Sequence, residues 1–199
     1  MDWKLTSVVR ETDHRFLNFF TFHYEVSRDG KSVDYPYFVA SRHSDDALLA
    51  RTKDYSRPDG VLICAIREEN EPELLIIEEF RPPLNRIVIG LPAGLLDPTD
   101  KDIAEAAARE AIEETGVYLK DVRLICPPSP TSSGLSDETV AIVEGRVSGL
   151  TETHLERFED IRGRFIPIRE LPAFLASRDN FIAINARLCM MMLVERYRV

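Results

Sequence analysis

Residues 92–117 read PAGLLDPTDKDIAEAAAREAIEETGV, a polar loop followed by a run of strong helix formers. Apolar residues recur within the run at Ile103, Ala107 and Ala111, which is the spacing of one face of a helix. Gly116 stands just beyond them, where helices commonly end in a left-handed cap. The stretch therefore predicts a loop that leads into one helix ending before Gly116.

Three glutamates share one face of this predicted helix. Glu110, Glu113 and Glu114 are spaced i, i+3 and i+4, which places their Cβ atoms about 5–6 Å apart. Like charges at this spacing repel one another. The spacing alone leaves two interpretations open, namely an exposed and solvated face, or carboxylates that share a cation.

The composition is that of a globular protein of one or two small units. Of 199 residues, 44% are hydrophobic and 30% are charged, with a formal net charge of −9. This charge repels polyanions, so we expect neither a nucleic-acid polymer nor a membrane as a partner. The opening residues do not resemble a signal peptide, and the three dispersed cysteines suit reduced thiols. We therefore expect a cytoplasmic location.

The segments around the predicted helix indicate a mixed α/β chain. Residues 14–42 are aromatic and β-branched on both sides of a turn at 27–31, which predicts a hairpin or small sheet. Later apolar runs predict further strands at 61–68, 73–80, 122–126, 139–147 and 163–168, and helices at 170–178 and 180–198. We accordingly divide the chain into an N-terminal sheet region, 1–55, and a larger domain, 56–199.

The end of residues 92–117 resembles the Nudix box, in which a glycine and a spacer precede Arg-Glu, an apolar residue, any residue, Glu-Glu, any residue, Gly and an apolar residue. Arg109 to Val117 match this ending completely. The resemblance implies the α/β/α sandwich of that family, with a mixed sheet, here preceded by the small antiparallel N-terminal sheet. It also implies that a backbone carbonyl and glutamates hold magnesium or manganese ions against a diphosphate, which favours the shared-cation interpretation.

The chain departs from the box at one point. The family has seven residues between the first box glutamate and the arginine, whereas eight residues separate Asp100 from Arg109. Asp100 is either a shortened substitute for that glutamate or the N-cap of the helix. We favour the cap, because aspartate at a helix start accepts backbone N–H bonds.

Three flanking motifs resemble the ADP-ribose pyrophosphatase branch of the family, namely EEFRPP at 78–83, LPAG at 91–94 and SPTSSGLSDE at 129–138. The branch usually carries a glutamate just before LPAG, where this chain has Gly90. The resemblance implies metal ligands at Ala93, Glu110, Glu113 and Glu114. It implies catalytic roles for Glu138, Glu113, Glu114 and Arg109, of which Arg109 orients the glutamates. It implies a substrate-binding set of Arg81, Arg42, Tyr37 and the box glycine, Gly94.

Two of these assignments compete with ordinary structural roles. Arg81 follows a strand and precedes two prolines, so a rigid strand end could present its guanidinium to a phosphate. The competing interpretation is a surface ion pair with Glu78 or Glu79. Tyr37 matches an aromatic that stacks on adenine, but aromatic residues in strands also pack in cores or interfaces.

The resemblance implies metal-dependent hydrolysis of the pyrophosphate of ADP-ribose, or of a similar nucleoside diphosphate sugar, to AMP and ribose 5-phosphate. Two alternatives stay open, namely another sugar substrate such as GDP-mannose, and a non-catalytic module that senses ADP-ribose. The resemblance further implies a homodimer that exchanges its N-terminal sheets. We expect the contact to come from an apolar run, Phe16, Leu17, Phe19, Phe20 and Phe22.

Overall fold

The computed structural model describes residues 1–155, 157 and 159–199. The chain forms two compact units. The first unit contains residues 1–59 and 128–140, and the second contains residues 60–127 and 141–199. Our sequence-based division had placed residues 128–140 with the larger domain, whereas here they belong to the first unit. The SPTSSGLSDE motif is therefore in the same unit as the N-terminal sheet.

The first unit contains a three-stranded antiparallel sheet of β1 (Asp2–Arg10), β2 (Asn18–Arg28) and β3 (Lys31–Ser41), in that order. The hairpin between β2 and β3 turns through Asp29 and Gly30, whose φ angles are 51° and 74°. Two consecutive positive φ angles suit the right-handed twist of a hairpin, and an Asp-Gly pair tolerates them. This confirms the predicted hairpin and small N-terminal sheet. A short helix, α1 (Leu49–Thr52), follows.

The apolar core of this unit corrects one expectation. Phe20 and Phe22 are 0% and 3% exposed, and they pack within the unit's own core with Val39 and Leu48. Assigning these two phenylalanines to a subunit contact was wrong, because alternate residues of a strand face opposite sides and this side is already covered. Phe16, Leu17 and Phe19 of the same run are exposed.

The second unit is built on a larger sheet in the order β10-β5-β4-β9-β8, with β6 paired to β5 and β7 paired to β4. The strands of this sheet are β4 (Gly60–Glu68), β5 (Pro72–Arg81), β6 (Arg86–Gly90), β7 (Ala93–Leu95), β8 (Val117–Pro130), β9 (Thr139–Leu150) and β10 (Ile161–Pro167). Residues 128–130 of β8 and 139–140 of β9 belong to the first unit. The helices are α2 (Ile103–Thr115), α3 (Leu171–Ala176) and α4 (Ile184–Tyr197). The predicted α/β class is confirmed. None of the described helices is long and apolar enough to cross a membrane.

Helix α2 has the cap and the packing face that its sequence predicts. The N–H of Gly116, at φ 66°, donates to the carbonyls of the last helical turn, which confirms the C-terminal cap. The buried residues Ala106, Ala107 and Ala111 pack against a core formed with strand residues such as Ile63. Their small side chains let the helix lie close to the sheet. Glu114 is buried on the same face of α2, so this packing also fixes its carboxylate relative to β4 and β7.

Candidate active site

The loop before α2 is fixed by a short strand pairing. In β7, Ala93 and Gly94 pair with Leu62 and Val61 of β4. The Ala93 N–H then donates to Glu114 Oε2 at 3.0 Å. Glu114 is 6% exposed, so this backbone donor holds a buried carboxylate in one orientation. The resemblance had placed Ala93 and Glu114 in the same site, and the structure brings them into direct contact.

Gly94 allows the loop to approach the helix closely. A Cβ atom at this position would lie 1.9 Å from the carboxyl carbon of Glu110. Any other residue would therefore push the Glu110 carboxylate away from the loop. The glycine thus explains how Glu110 can lie against the backbone beside Ala93.

Arg109 joins the acidic residues of the loop and the helix. Its Nη1 donates to Glu110 Oε1 at 2.8 Å and to Glu113 Oε2 at 3.0 Å. Its Nε and Nη2 donate to the Asp100 carboxylate at 3.2 and 2.9 Å, and Nη2 also donates to the Leu95 carbonyl. These five hydrogen bonds fix the orientation of the guanidinium. Arg109 thus contacts both the loop and the helix glutamates, and its orienting role in catalysis stays a prediction.

The prediction that Asp100 caps α2 was wrong. The N-cap is Asp102, whose side chain accepts the N–H of Glu105 at 2.9 Å. Asp100 is 6% exposed and binds both Arg109 and the Asp97 N–H. Its carboxylate is thus paired with the box arginine, and the other interpretation, a shortened substitute for the first box glutamate, stays a prediction.

This correction predicts different stabilities for two aspartate variants. Asp102→Ala should cost about 1 kcal/mol, the usual loss of an N-cap side chain. Asp100→Ala should cost about 3 kcal/mol, because it breaks a buried ion pair and leaves donors of Arg109 unpaired. Chemical denaturation of both variants measures the difference. Equal losses would contradict the assignment of Asp100 to the arginine.

Buried negative charge is the main electrostatic feature of this region. Burial raises the pKa of Glu114 to about 8, opposed by the Ala93 N–H and reinforced by the charges of Glu110 and Glu79. Burial also raises the pKa of Glu110 and of Glu79, and their arginine partners only partly offset it. Sequence reasoning did not identify Glu79 as part of this acidic group, because it lies on β5, far from α2 in sequence.

The chemistry of these donors fits a hard divalent cation. Within the described part of the chain, no three acidic, histidine or cysteine side chains converge as a formed metal site. Glu110 and Glu113 are instead paired with Arg109, and Glu114 with the Ala93 N–H. Burial nevertheless raises the pKa of Glu110 and Glu114, because a charged carboxylate loses hydration there, and a bound cation would offset this loss. Oxygen-rich sites of this charge suit Mg²⁺ or Mn²⁺.

Arg81 stands at the end of β5, before the turn Pro82–Leu84. Its Nη2 lies 2.9 Å from Glu79 Oε2, so the ion pair of the competing interpretation exists. The Arg81 side chain is nevertheless 52% exposed, whereas that of Glu79 is 16% exposed. Such an exposed guanidinium can still reach a phosphate, so its substrate role stays a prediction.

The remaining predicted site residues lie in the first unit. Arg42 Nε donates to Glu138 Oε1 at 3.2 Å, and Thr131 Oγ1 donates to Glu138 Oε2 at 2.9 Å. The Tyr37 hydroxyl donates to the Gly134 carbonyl at 2.9 Å. The structure therefore brings Arg42 and Glu138 together within one unit. The roles predicted for them and for Tyr37 stay predictions.

Comparison with known proteins places these observations in a family context. The sequence model described as "NUDIX domain" matches residues 56–184. "Nudix hydrolase 14, chloroplastic" of Arabidopsis thaliana is 33% identical over 134 residues, which are 57% of this chain and 43% of that protein. "ADP-ribose pyrophosphatase" of Saccharomyces cerevisiae is 33% identical over 104 residues, 49% of this chain and 45% of that protein. The chain thus spans less than half the length of these two relatives.

Two further similarities extend over more of the chain. "ADP-ribose pyrophosphatase" of Bacillus subtilis is 27% identical over 142 residues, 71% of this chain and 72% of that protein. A solved structure described as "Crystal structure of ADP compounds hydrolase" covers 99% of this chain and 94% of its own, with a TM-score of 0.71. Its sequence identity is 17%, so this similarity concerns the fold alone.

Proposed function

Because the chain belongs to the Nudix family, we propose that it hydrolyses the pyrophosphate bond of ADP-ribose, or of a similar nucleoside diphosphate sugar, to AMP and ribose 5-phosphate. The observation that carries this proposal is the arginine-centred arrangement in which Arg109 binds Asp100, Glu110 and Glu113. It orients an acidic group beside the loop that the family uses for diphosphates. The two relatives named as ADP-ribose pyrophosphatases support the choice of substrate.

The proposal requires a divalent cation, and the donors described above would hold it. Mg²⁺ or Mn²⁺, bound by the Ala93 carbonyl and by Glu110, Glu113 and Glu114, would neutralise the diphosphate and make a water molecule more acidic. Arg109 keeps two of these carboxylates in place, and Gly94 leaves room for Glu110. The chain's own contribution is thus a fixed set of oxygen donors on a rigid helix.

Proton transfer and substrate binding involve further side chains, besides the proposed metal ligands and Arg109. We assign to Glu138, or to one of the α2 glutamates, the removal of a proton from the attacking water. The oxygen of that water bonds to one phosphorus while the bond from this phosphorus to the bridging oxygen breaks, so two phosphate monoesters leave. Arg81 and Arg42 bind phosphate oxygens, and Tyr37 stacks on the adenine ring.

A substrate panel tests this proposal directly. ADP-ribose, GDP-mannose and other nucleoside diphosphate sugars are incubated with the protein and magnesium, and AMP, GMP and sugar phosphates are scored separately. We expect AMP and ribose 5-phosphate from ADP-ribose at the highest kcat/KM. Preferential release of GMP would assign the chain to the GDP-mannose alternative. Tight ADP-ribose binding without any product would assign it to the sensor alternative.

We also propose that the chain acts in the cytoplasm as a homodimer whose subunits exchange their N-terminal sheets. The exposed apolar residues of the first unit support this assembly. Phe16, Leu17 and Phe38 are 67%, 48% and 60% exposed, so they offer apolar surface to a second subunit. A second subunit that covered them would remove this apolar area from water.

Replacing Arg81 with alanine is expected to weaken substrate binding. The loss of a hydrogen bond to a charged phosphate should cost about 1.5–3 kcal/mol in kcat/KM, seen mainly as a higher KM. The matched control is Arg164→Ala, because Arg164 forms a comparable surface ion pair with Glu78 at 3.0 Å. If both variants keep the wild-type KM and kcat/KM, then Arg81 has only its ion pair with Glu79.

A further inference from the structure

A histidine–aspartate pair lies beside the two predicted site residues of the first unit. His43 directly follows Arg42, and its Nε2 lies 3.1 Å from Asp59 Oδ1. The two side chains are only 25% and 10% exposed. Sequence reasoning assigned neither residue a role, because the four histidines share no metal-ligand spacing.

The other oxygen of the same carboxylate binds the residue that follows Glu138. Asp59 Oδ2 accepts the N–H of Thr139 at 2.7 Å and its hydroxyl at 3.4 Å. The Asp59 N–H in turn donates to the Thr139 carbonyl at 2.9 Å. Thr139 is 3% exposed, so these contacts are shielded from water. The segment that carries Glu138 is therefore fixed to Asp59 at three points.

Asp59 thus connects the chain neighbours of both site residues. One of its oxygens contacts His43, next to Arg42, and the other contacts Thr139, next to Glu138. Arg42 and Glu138 themselves form an ion pair, with 3.2 Å between Arg42 Nε and Glu138 Oε1. Each partner of this pair is therefore next in sequence to a residue that Asp59 contacts.

The neighbours on the other side are anchored as well. Ser41, which precedes Arg42, is 1% exposed and its hydroxyl accepts the His43 N–H at 3.1 Å. Asp137, which precedes Glu138, accepts the Leu49 N–H at 3.2 Å. Arg42 and Glu138 therefore each lie between two chain neighbours that are fixed by hydrogen bonds or an ion pair. The Asp59 carboxylate contacts both segments.

We propose that Asp59 and His43 are positioning residues, which set the placement of Glu138 and Arg42 and thereby the activity that these two residues support. This inference rests on the proposed function, in which Glu138 and Arg42 act on the substrate. Catalytic groups displaced by about 1 Å lose on the order of 10²-fold in rate, so the placement of a general base is a sensitive quantity. Neither Asp59 nor His43 needs to touch the substrate.

The charge of His43 contributes to this pair. Its Nε2 is buried and lies 3.1 Å from Asp59 Oδ1, where hydrogen bonding and charge attraction both favour the protonated ring. The acidic groups that face the ring are Asp59 and Asp137. Contact with Asp59 raises the pKa of His43 and burial opposes this, while the pKa of Asp59 is lowered by His43 and Thr139 despite its burial. The ion pair therefore weakens as pH rises through the raised pKa of His43, and also as pH falls through the lowered pKa of Asp59.

Two variants test the proposal through activity. Asp59→Asn and His43→Gln should each lower kcat by about 10- to 10²-fold near neutral pH. In a Glu138→Gln background the same substitutions should have little further effect on kcat, because residues that act through one group are not additive. The effect of His43→Gln should also shrink as pH rises above the pKa of His43. Full additivity with Glu138→Gln at every pH would overturn the proposal.

The chain offers a matched control pair. His23 and Asp34 are also 3.1 Å apart, but they lie on the exposed part of β2 and β3 and contact neither Arg42 nor Glu138. His23→Gln and Asp34→Asn should leave kcat unchanged. Thermal unfolding of all four variants shows whether they remain folded. If Asp59→Asn does not fold, His43→Gln still tests the proposal, because the His43 side chain is partly exposed and its replacement disturbs the core less.

A measurement without substrate separates this proposal from the proposed function. In Asp59→Asn, hydrogen exchange of the Thr139 amide should accelerate at least about tenfold, and the NMR-titrated pKa of His43 should fall towards its ordinary value. If these changes occur but the wild type hydrolyses no nucleoside diphosphate sugar, the proposed function fails and the connection through Asp59 stands. If the wild type is active and neither kcat nor Thr139 exchange changes, the positioning role is wrong.

Discussion

Replacing Glu114 with glutamine is expected to lower turnover by at least about 10²-fold while the fold stays intact. Glutamine has nearly the same size as glutamate, and its side-chain oxygen can still accept the Ala93 N–H that now binds Glu114 at 3.0 Å. The negative charge, which a divalent cation requires, is lost. The measurement is kcat for ADP-ribose in magnesium, together with the melting temperature.

The stability of this variant carries a separate expectation. Burial raises the pKa of Glu114 to about 8, so the folded state holds a proton that the unfolded state has released at neutral pH. Ionised Glu114 therefore destabilises the metal-free protein as pH rises from its ordinary pKa towards 8. Glutamine removes this penalty, so the metal-free variant should be at least as stable as the wild type at pH 7.

A control on the same helix makes the result specific. Glu105 lies in the first turn of α2, where its carboxylate accepts the Lys101 N–H and pairs with the Lys101 ammonium. Its side chain is 43% exposed, and glutamine can keep the backbone contact. Glu105→Gln should therefore retain wild-type turnover. Near-normal turnover in Glu114→Gln as well would show that α2 does not carry a metal-dependent site.

Local signals explain which parts of the fold could be predicted from the sequence. Helix α2 is specified by residues within itself, because its helix formers, alanine face and Gly116 all act over a few positions. The hairpin through Asp29 and Gly30 is equally local. Strands β6 and β7 were missed because they are five and three residues long, and they exist only through pairing with β5 and β4. Such pairing has no local signature.

The site shows the same division between local and distant causes. The spacing of Glu110, Glu113 and Glu114 was visible on the helix, and so was their proximity to Arg109. The sequence predicted a cap at Asp100, but the Asp100 carboxylate binds Arg109 in the second turn of the helix, and the cap is Asp102. Glu79 joins the acidic group only because β5 packs beside β4 in the sheet.

The contacts of Arg42 and Glu138 bear on how the subunits would share a site. The two residues are 96 positions apart in sequence but belong to one compact unit of one chain. Any exchange that moves this unit therefore moves both side chains together. If the N-terminal sheet completes a partner's site, removing residues 1–55 should abolish dimerisation and hydrolysis. The deletion would also strip residues 128–140 of partners such as Ala40, whose N–H donates to the Leu135 carbonyl. Aggregation could then be mistaken for loss of a shared site, so a deletion is a poor test.

Mixing two inactive full-length variants is expected to restore activity if the sheets are exchanged. In a heterodimer of Glu114→Gln and Arg42→Ala, one of the two sites would combine an intact Arg42 with an intact Glu114. An equal mixture with random subunit exchange should reach about a quarter of wild-type activity, because half of the dimers are mixed and each has one intact site. The readout is AMP release after subunit exchange has been confirmed by mass.

A second mixture tests whether recovery requires the two substitutions to lie in different units of the chain. Arg42 and Glu138 belong to the same unit of one chain. In a heterodimer of Arg42→Ala and Glu138→Gln, each copy of this unit would therefore lack one of the two residues, and no site would have both. This mixture should stay inactive whether or not the units are exchanged. Recovery in the first mixture alone supports a site shared between subunits. If mixed dimers form and neither mixture recovers, the shared-site arrangement is wrong, and each chain must supply Arg42, Glu138 and Glu114 to its own site.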